Sequence, residues 1–181
     1  METIHVKLTG ISPLLMHSFP LLPIEAIEKK SPEEQAELAA YRQPTGTDGT
    51  KGDLYIPGVA VQRALVAGGA YVKGKGRASL QKAVAACVLV TPEYISLGTP
   101  DYVIDARPVV IPATKGRVVR YRPRLDKWSC SFEIEYDETL MTEVELRKIA
   151  DYTCSRVGFL DFRPERKGPF GRAIVTLWDR D

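Results

Sequence analysis

Two alternating strand patterns near the ends of the chain, two well-capped helix patterns, and β-branched runs between them predict an α+β fold. The first strand pattern is residues 2–10, with Ile4, Val6 and Leu8 set against Thr3, His5, Lys7 and Thr9; the last is residues 173–178. In order, the elements read strand, helix, strands, helix, strand. That is the β-α-β-β-α-β plan of a ferredoxin-like (RRM-like) sandwich, with an added β-hairpin and an inserted helical and loop segment.

Length and composition agree with one domain over residues 1–181. The formal net charge is only +2, but it is unevenly spread. Residues 25–37 hold five glutamates against two lysines, and residues 73–82 hold four basic residues and no acid. Residues 107–127 hold seven basic residues and one acid, Asp126. Basic blocks inside a near-neutral total predict a positive face. Cys87, Cys130 and Cys154 are odd in number, widely spaced and set in apolar patterns, so free buried thiols in a reducing cytoplasm are expected. No signal-peptide core and no membrane-length apolar run is seen, and a cytoplasmic protein is expected.

Each element has its own reason. Gly10 breaks the first strand, and residues 11–23 are apolar but hold three prolines, so no single helix fits. That arm is expected to lie on the core or against a neighbouring subunit. Ser31-Pro32-Glu33-Glu34 is a capping box with proline at the first helical position, predicting a helix to Tyr41. Residues 43–53 are a polar glycine- and threonine-rich loop, and residues 21–53 read as an acidic, mobile insertion. Residues 59–72 form a small-residue helix, followed by the cationic loop Lys73-Gly74-Lys75-Gly76-Arg77. Residues 83–97 read as strand with a turn at Pro92-Glu93, and residues 101–111 as a further strand.

Residues 117–136 read as a β-hairpin turning at Asp126. Arg120, Arg122 and Arg124 share one face of its first strand, spaced roughly 6.5–7 Å apart. That is close to the phosphate repeat of a nucleic-acid strand, although cross-strand pairing with Glu133 and Glu135 would also explain the row. Thr142 to Glu145 is a second capping box opening a helix that Gly158 ends. Residues 157–178 then mix Arg163, Arg166, Lys167 and Arg172 with Phe159, Phe162, Phe170, Gly168 and Gly171. Glycine lets a polyanion's backbone approach, arginine holds its charge, and aromatic rings stack on its bases. An ordinary basic surface loop with its phenylalanines tucked beneath is the alternative.

Three short motifs, taken in order, resemble the RAMP superfamily of CRISPR-associated proteins, above all the backbone subunit that coats guide RNA. They are the Gly-x-Ser-Pro-Leu turn at residues 10–14, Ile56-Pro57-Gly58 leading into a helix with Gln62, Arg63 and Ala64, and the Lys167-Gly168-Pro169-Phe170-Gly171-Arg172 loop. The chain also resembles small phage and prophage proteins that begin with a similar Ser-Pro-Leu-Leu-Met segment. The resemblance implies sequence-independent binding of single-stranded nucleic acid, RNA favoured, with copies multimerising along the strand through the apolar arm. It implies phosphate contacts from Lys73, Lys75, Arg77, Arg120, Arg122, Arg124, Arg166, Lys167 and Arg172. Stacking would come from Phe170, with Tyr121 and Phe162, and close backbone approach at Gly74, Gly76, Gly168 and Gly171. A phage single-stranded-DNA-binding or annealing protein, or a protein-interaction module imitating an effector subunit, are the alternatives.

No Walker loop, Rossmann fingerprint, zinc-ligand spacing or nucleophile elbow is present, so neither a metal nor a cofactor is expected. Catalysis is not expected either. By the resemblance, His17 as a general base or an aspartate among Asp48, Asp53 and Asp161 would be the residues to consider.

Overall fold

A computed structural model describes all 181 residues. Strand β1 (Glu2–Gly10) buries Ile4, Val6 and Leu8, as its alternation requires, and lies at the centre of a four-stranded sheet. Its neighbours are β8 (Ser129–Tyr136) on one side and β9 (Ala173–Arg180) on the other, with β4 (Val88–Thr91) beyond β8. All three pairings are antiparallel. Helices α3 (Gly58–Gly68), α4 (Gln81–Cys87) and α5 (Glu143–Tyr152) contribute Val61, Leu65, Val84, Leu146 and Ile149 to the same hydrophobic cluster as the inner residues of this sheet. The protein is therefore α+β, with antiparallel sheets. No helix is long and apolar enough to cross a membrane.

The proline-broken segment divides in two. Leu14 and Leu15 form a short strand, β2, against the strand β7 (Arg117–Leu125), and with Met16 they are fully buried. Past His17 the chain is exposed, with Phe19 and Leu21 facing solvent ahead of the short helix α1 (Ile24–Glu28). Helix α2 (Pro32–Leu38) starts on the expected capping box, as does α5. The insertion, expected to be mobile, is fastened at its far end. The Arg42 guanidinium binds the Glu37 carboxylate and donates to the carbonyls of Gly52 and Pro100 at 2.8 and 2.9 Å. Arg42 is also the main reason that the Glu37 carboxyl is held down at about 2.

Two expectations are corrected. Residues 117–136 are not a hairpin. Strand β7 pairs instead with β6 (Val103–Val110) in a separate sheet of order β2-β7-β6, while β8 belongs to the central sheet. Residues 126–128 carry the chain across, anchored by the buried Trp128, whose indole donates to the Ser12 carbonyl at 2.8 Å. The added hairpin is thus β6–β7. Periodicity identified β7 and β8 as strands, but it holds no information about which strand pairs with which. The second correction is α4, which occupies residues read as strand because Ala83, Val84 and Ala86 suit either state. Strand β5 (Tyr94–Ser96) follows and pairs with β3 (Tyr55–Pro57).

Candidate nucleic-acid interface

Residues 158–172 form a loop held by its own backbone. Gly158 leaves the helix end at φ +74°, and Phe159 N donates to the Gly171 carbonyl at 3.0 Å. Phe170 N donates to the Phe162 carbonyl at 3.1 Å, and Gly171 N to the Pro13 carbonyl at 2.8 Å. Asp161 N reaches the Leu15 carbonyl, and Arg172 N the Ser12 hydroxyl, at 3.0 and 2.9 Å. The Ser-Pro-Leu turn and the glycine loop are therefore stitched together.

This corrects the roles expected of three residues. A Cβ at Gly168 would overlap the Phe162 carbonyl, and one at Gly171, where φ is +74°, the Phe159 carbonyl. These glycines admit the loop's own backbone rather than a ligand's. Phe170 is 4% exposed, packed on Phe162 and covered by the Arg107 guanidinium 4.8 Å from its ring centre. Neither face of that ring is open to a base.

The arginine row is also turned inward. The β6–β7 register sets Arg107 opposite Arg120, Asp105 opposite Arg122 and Val103 opposite Arg124, on one face. Asp105, 4% exposed, accepts from Arg107 Nε at 2.7 Å and Arg124 Nη1 at 3.2 Å. Arg124 Nε also donates to Asp126 at 2.9 Å, and the buried Arg122 is paired with Asp161. Arg122 thus clamps the hairpin to the 158–172 loop and Arg124 ties its two strands together, and of the predicted row only Arg120 has no acidic partner. Glu133, an expected partner, instead lies 3.3 Å from His5 Nδ1 in the other sheet.

A groove of about 530 Å³ opens between the first turns of α3 and this loop. Pro57, Val59, Ala60 and Arg63 line one wall, Leu160, Asp161, Arg163 and Arg166 line the other, and His17 and Tyr41 complete it. The positive end of the α3 dipole lies at this wall. Arg163 is bound by Glu165 at 2.8 Å and by the Leu160 carbonyl at 2.9 Å. Arg63 and Arg166 are exposed and make no ion pair or side-chain hydrogen bond. Protein atoms crowding His17 lower its pKa; Arg122 and Arg120 add to that, and Asp161 opposes it. Burial, then Tyr55 and Asp161, raises the Tyr41 phenol.

The other predicted cations lie elsewhere. Lys73, Lys75 and Arg77 are exposed and unpaired on a loop closed by the Lys73–Ser79 bridge, with Gly74 and Gly76 inside it. That loop follows the far end of α3, whose eleven residues rise roughly 16 Å. Lys167 follows Arg166 directly, and Arg172 lies beside Ser12. The sheet face away from the helices carries Thr3, His5, Lys7, Ser131, Glu133 and Glu135 and no aromatic ring, so it has no base-stacking platform. Arg63, Arg163, His17 and Tyr41 were not among the predicted phosphate-binding residues. The signal available for Arg63 was its place just after Ile56-Pro57-Gly58. No protein-family model matches the chain, and no curated protein matches it.

Proposed function

We propose that the groove between α3 and the 158–167 loop binds the phosphate backbone of single-stranded nucleic acid without sequence preference, RNA favoured. The observation that carries this reading is the meeting of two unpaired arginines, Arg63 and Arg166, across an open groove at a helix N-terminus. The three motifs resembling RAMP proteins lie side by side here: the Pro57-Gly58 helix start forms one wall, and the Ser-Pro-Leu turn braces the other. The strand order β4-β8-β1-β9, antiparallel throughout, with helices between β1 and β4 and between β8 and β9, supports a ferredoxin-like core. In this reading Lys167 and Arg120 extend the charge beyond the groove, the 73–77 loop meets the strand farther along, and the exposed Phe19 and Leu21 join successive copies.

The test is fluorescence anisotropy of labelled RNA and DNA oligonucleotides across a salt series. Each phosphate held adds about 0.7 to the slope of log K against log salt for a single strand. Arg63→Ala with Arg166→Ala should therefore lower that slope by about 1.4, and RNA should compete better than DNA. Tighter binding of DNA would transfer the proposal to single-stranded DNA. No salt-sensitive binding of either strand, or an unchanged slope in the double variant, would refute it.

A further inference from the structure

The groove holds a third arginine, Arg163, whose guanidinium is engaged on two sides. Its Nε and Nη2 both donate to Glu165 Oε2, at 3.1 and 2.8 Å, and its Nη1 donates to the Leu160 carbonyl at 2.9 Å. The backbone behind it is unusual. Leu160 sits at φ +60° and Phe162 at φ +48°, left-handed conformations uncommon for side chains of that bulk, and a Cβ on Gly158 would come within 3.1 Å of Arg163 Cβ. The loop accepts this strain, and one result is that the Leu160 carbonyl fixes the guanidinium at the groove wall. Glu165 is a different kind of partner. Its side chain is 41% exposed and that of Arg163 26%, and both line the groove. An ion pair so open to water contributes little, unlike the pair that the buried Arg122 makes with Asp161. It covers Arg163 without committing it.

We propose that Arg163 is a third phosphate ligand of the groove and Glu165 its mask, a carboxylate occupying the place that a strand phosphate takes over on binding. The strand as occupant rests on the groove reading; the masking of an anion ligand does not. Nε and Nη2 form the edge with which arginine grips carboxylate and phosphate alike. The exchange therefore leaves the guanidinium on its Leu160 anchor, and only Glu165 turns out to water. Arg63 and Arg166, unpaired in the same groove, give the exchange its direction. A phosphate tethered to neighbours that those two already hold is presented to Arg163 at high effective concentration, whereas a lone anion must displace Glu165 unaided. The mask thus makes the groove select a strand over free phosphate.

The experiment measures RNA binding across a salt series and, in parallel, the change in Tm on adding inorganic phosphate at constant ionic strength. The proteins are wild type, Glu165→Gln, which removes the mask, and Glu165→Gln with Arg163→Gln, which removes mask and ligand and leaves the net charge as it was. Glu165→Gln should bind RNA about two- to five-fold more tightly at the slope of wild type, because the same phosphates are held. The double variant should show a slope about 0.7 smaller than wild type. A pair that stays closed in the complex gives another pattern: Glu165→Gln frees a new ligand and steepens the slope by about 0.7, and the double variant matches wild type. Either of those results would overturn the proposal. Phosphate should raise the Tm of Glu165→Gln more than that of the other two proteins, and an equal response in all three would overturn the mask. If no protein of the set binds RNA in a salt-sensitive way, the groove reading fails by itself. Phosphate stabilising Glu165→Gln alone would then still support Glu165 as the mask of an anion ligand, and no such difference would overturn it.

Discussion

Replacing Asp161 by asparagine should lower stability and raise nucleic-acid affinity together. Arg122 is buried and Asp161 is its only carboxylate partner, since Asp105, opposite it in the register, is taken by Arg107 and Arg124. Breaking a fully buried pair costs about 3–5 kcal/mol, chiefly through the charge left behind. The Asp161 side chain is 30% exposed, and asparagine keeps an oxygen facing the guanidinium, so about 2–3 kcal/mol is expected. For a chain of this length that is a fall in Tm of about 5–10 °C.

Urea and thermal unfolding monitored by tryptophan fluorescence measure the loss. The control is Asp126→Asn, which removes one of the two carboxylate partners of Arg124 at a side chain 58% exposed and should cost less than about 1 kcal/mol. Removing both charges, as Arg122→Met with Asp161→Leu, should recover most of the stability, because no ion is then buried unpaired. The asparagine also deletes a negative charge from the groove wall, so a folded variant should bind strands more tightly. If Asp161→Asn and Asp126→Asn were equally mild, or the double variant less stable than Asp161→Asn, the account of Arg122 as a buried, neutralised clamp would be wrong.

The two glycine loops should respond differently to alanine. Gly171→Ala adds a collision with the Phe159 carbonyl to the strain of φ +74° and should cost more than about 3 kcal/mol, whereas Gly76→Ala, at φ +80° with nothing within 4 Å, should cost about 1 kcal/mol; urea midpoints give both. The two histidines should tilt the pH dependence of stability in opposite directions. The pKa of His5 is raised, mainly by its 2.7 Å hydrogen bond to Asp181, with Glu133 adding to it. Its contribution is therefore full below the ordinary histidine value near 6.5 and lost as pH rises through the folded value. His17 is lowered, so it favours the fold above that value, and its contribution is lost as pH falls through the folded one. The plot of Tm against pH for His5→Gln should lose a negative slope and that for His17→Gln a positive one; the same sign of change in both would contradict these environments.

Much of the fold was legible because its signals are local. The alternation of residues 2–10, the capping boxes at Ser31 and Thr142, and the helix end at Gly158 each rest on a few adjacent residues whose hydrogen bonds the sequence implies. Strand pairing was not legible. Residues 117–125 and 129–136 both alternate, and adjacency in sequence favours joining them, yet Trp128 under the Ser12 carbonyl diverts the second strand into another sheet. The site was legible in its motifs and not in its residues. The sequence marks the Pro57-Gly58 helix start and the glycine loop, but it does not show that Asp161 and Asp105 reach back to the hairpin arginines. Nor does it show that Phe170 lies beneath Arg107.

The distribution of charge explains why the densest basic block is not the strongest candidate for a phosphate. Arginines at alternate positions of one strand lie on one face, where their mutual repulsion must be screened before anything can pack on it. Here Asp105, Asp126 and Asp161 do that, and the loop bearing Asp161 and Phe170 can then dock on the same face. A guanidinium neutralised in this way would have to give up its carboxylate before gripping a phosphate, at a cost that weak, sequence-independent binding would not cover. Of the cations left free, those nearest the groove stand on separate elements: Arg63 on a helix, Arg166 on a turn, and Arg120 at the end of the row. A positive groove assembled from such scattered residues costs the fold little, because the charges meet only where solvent or a polyanion can reach them.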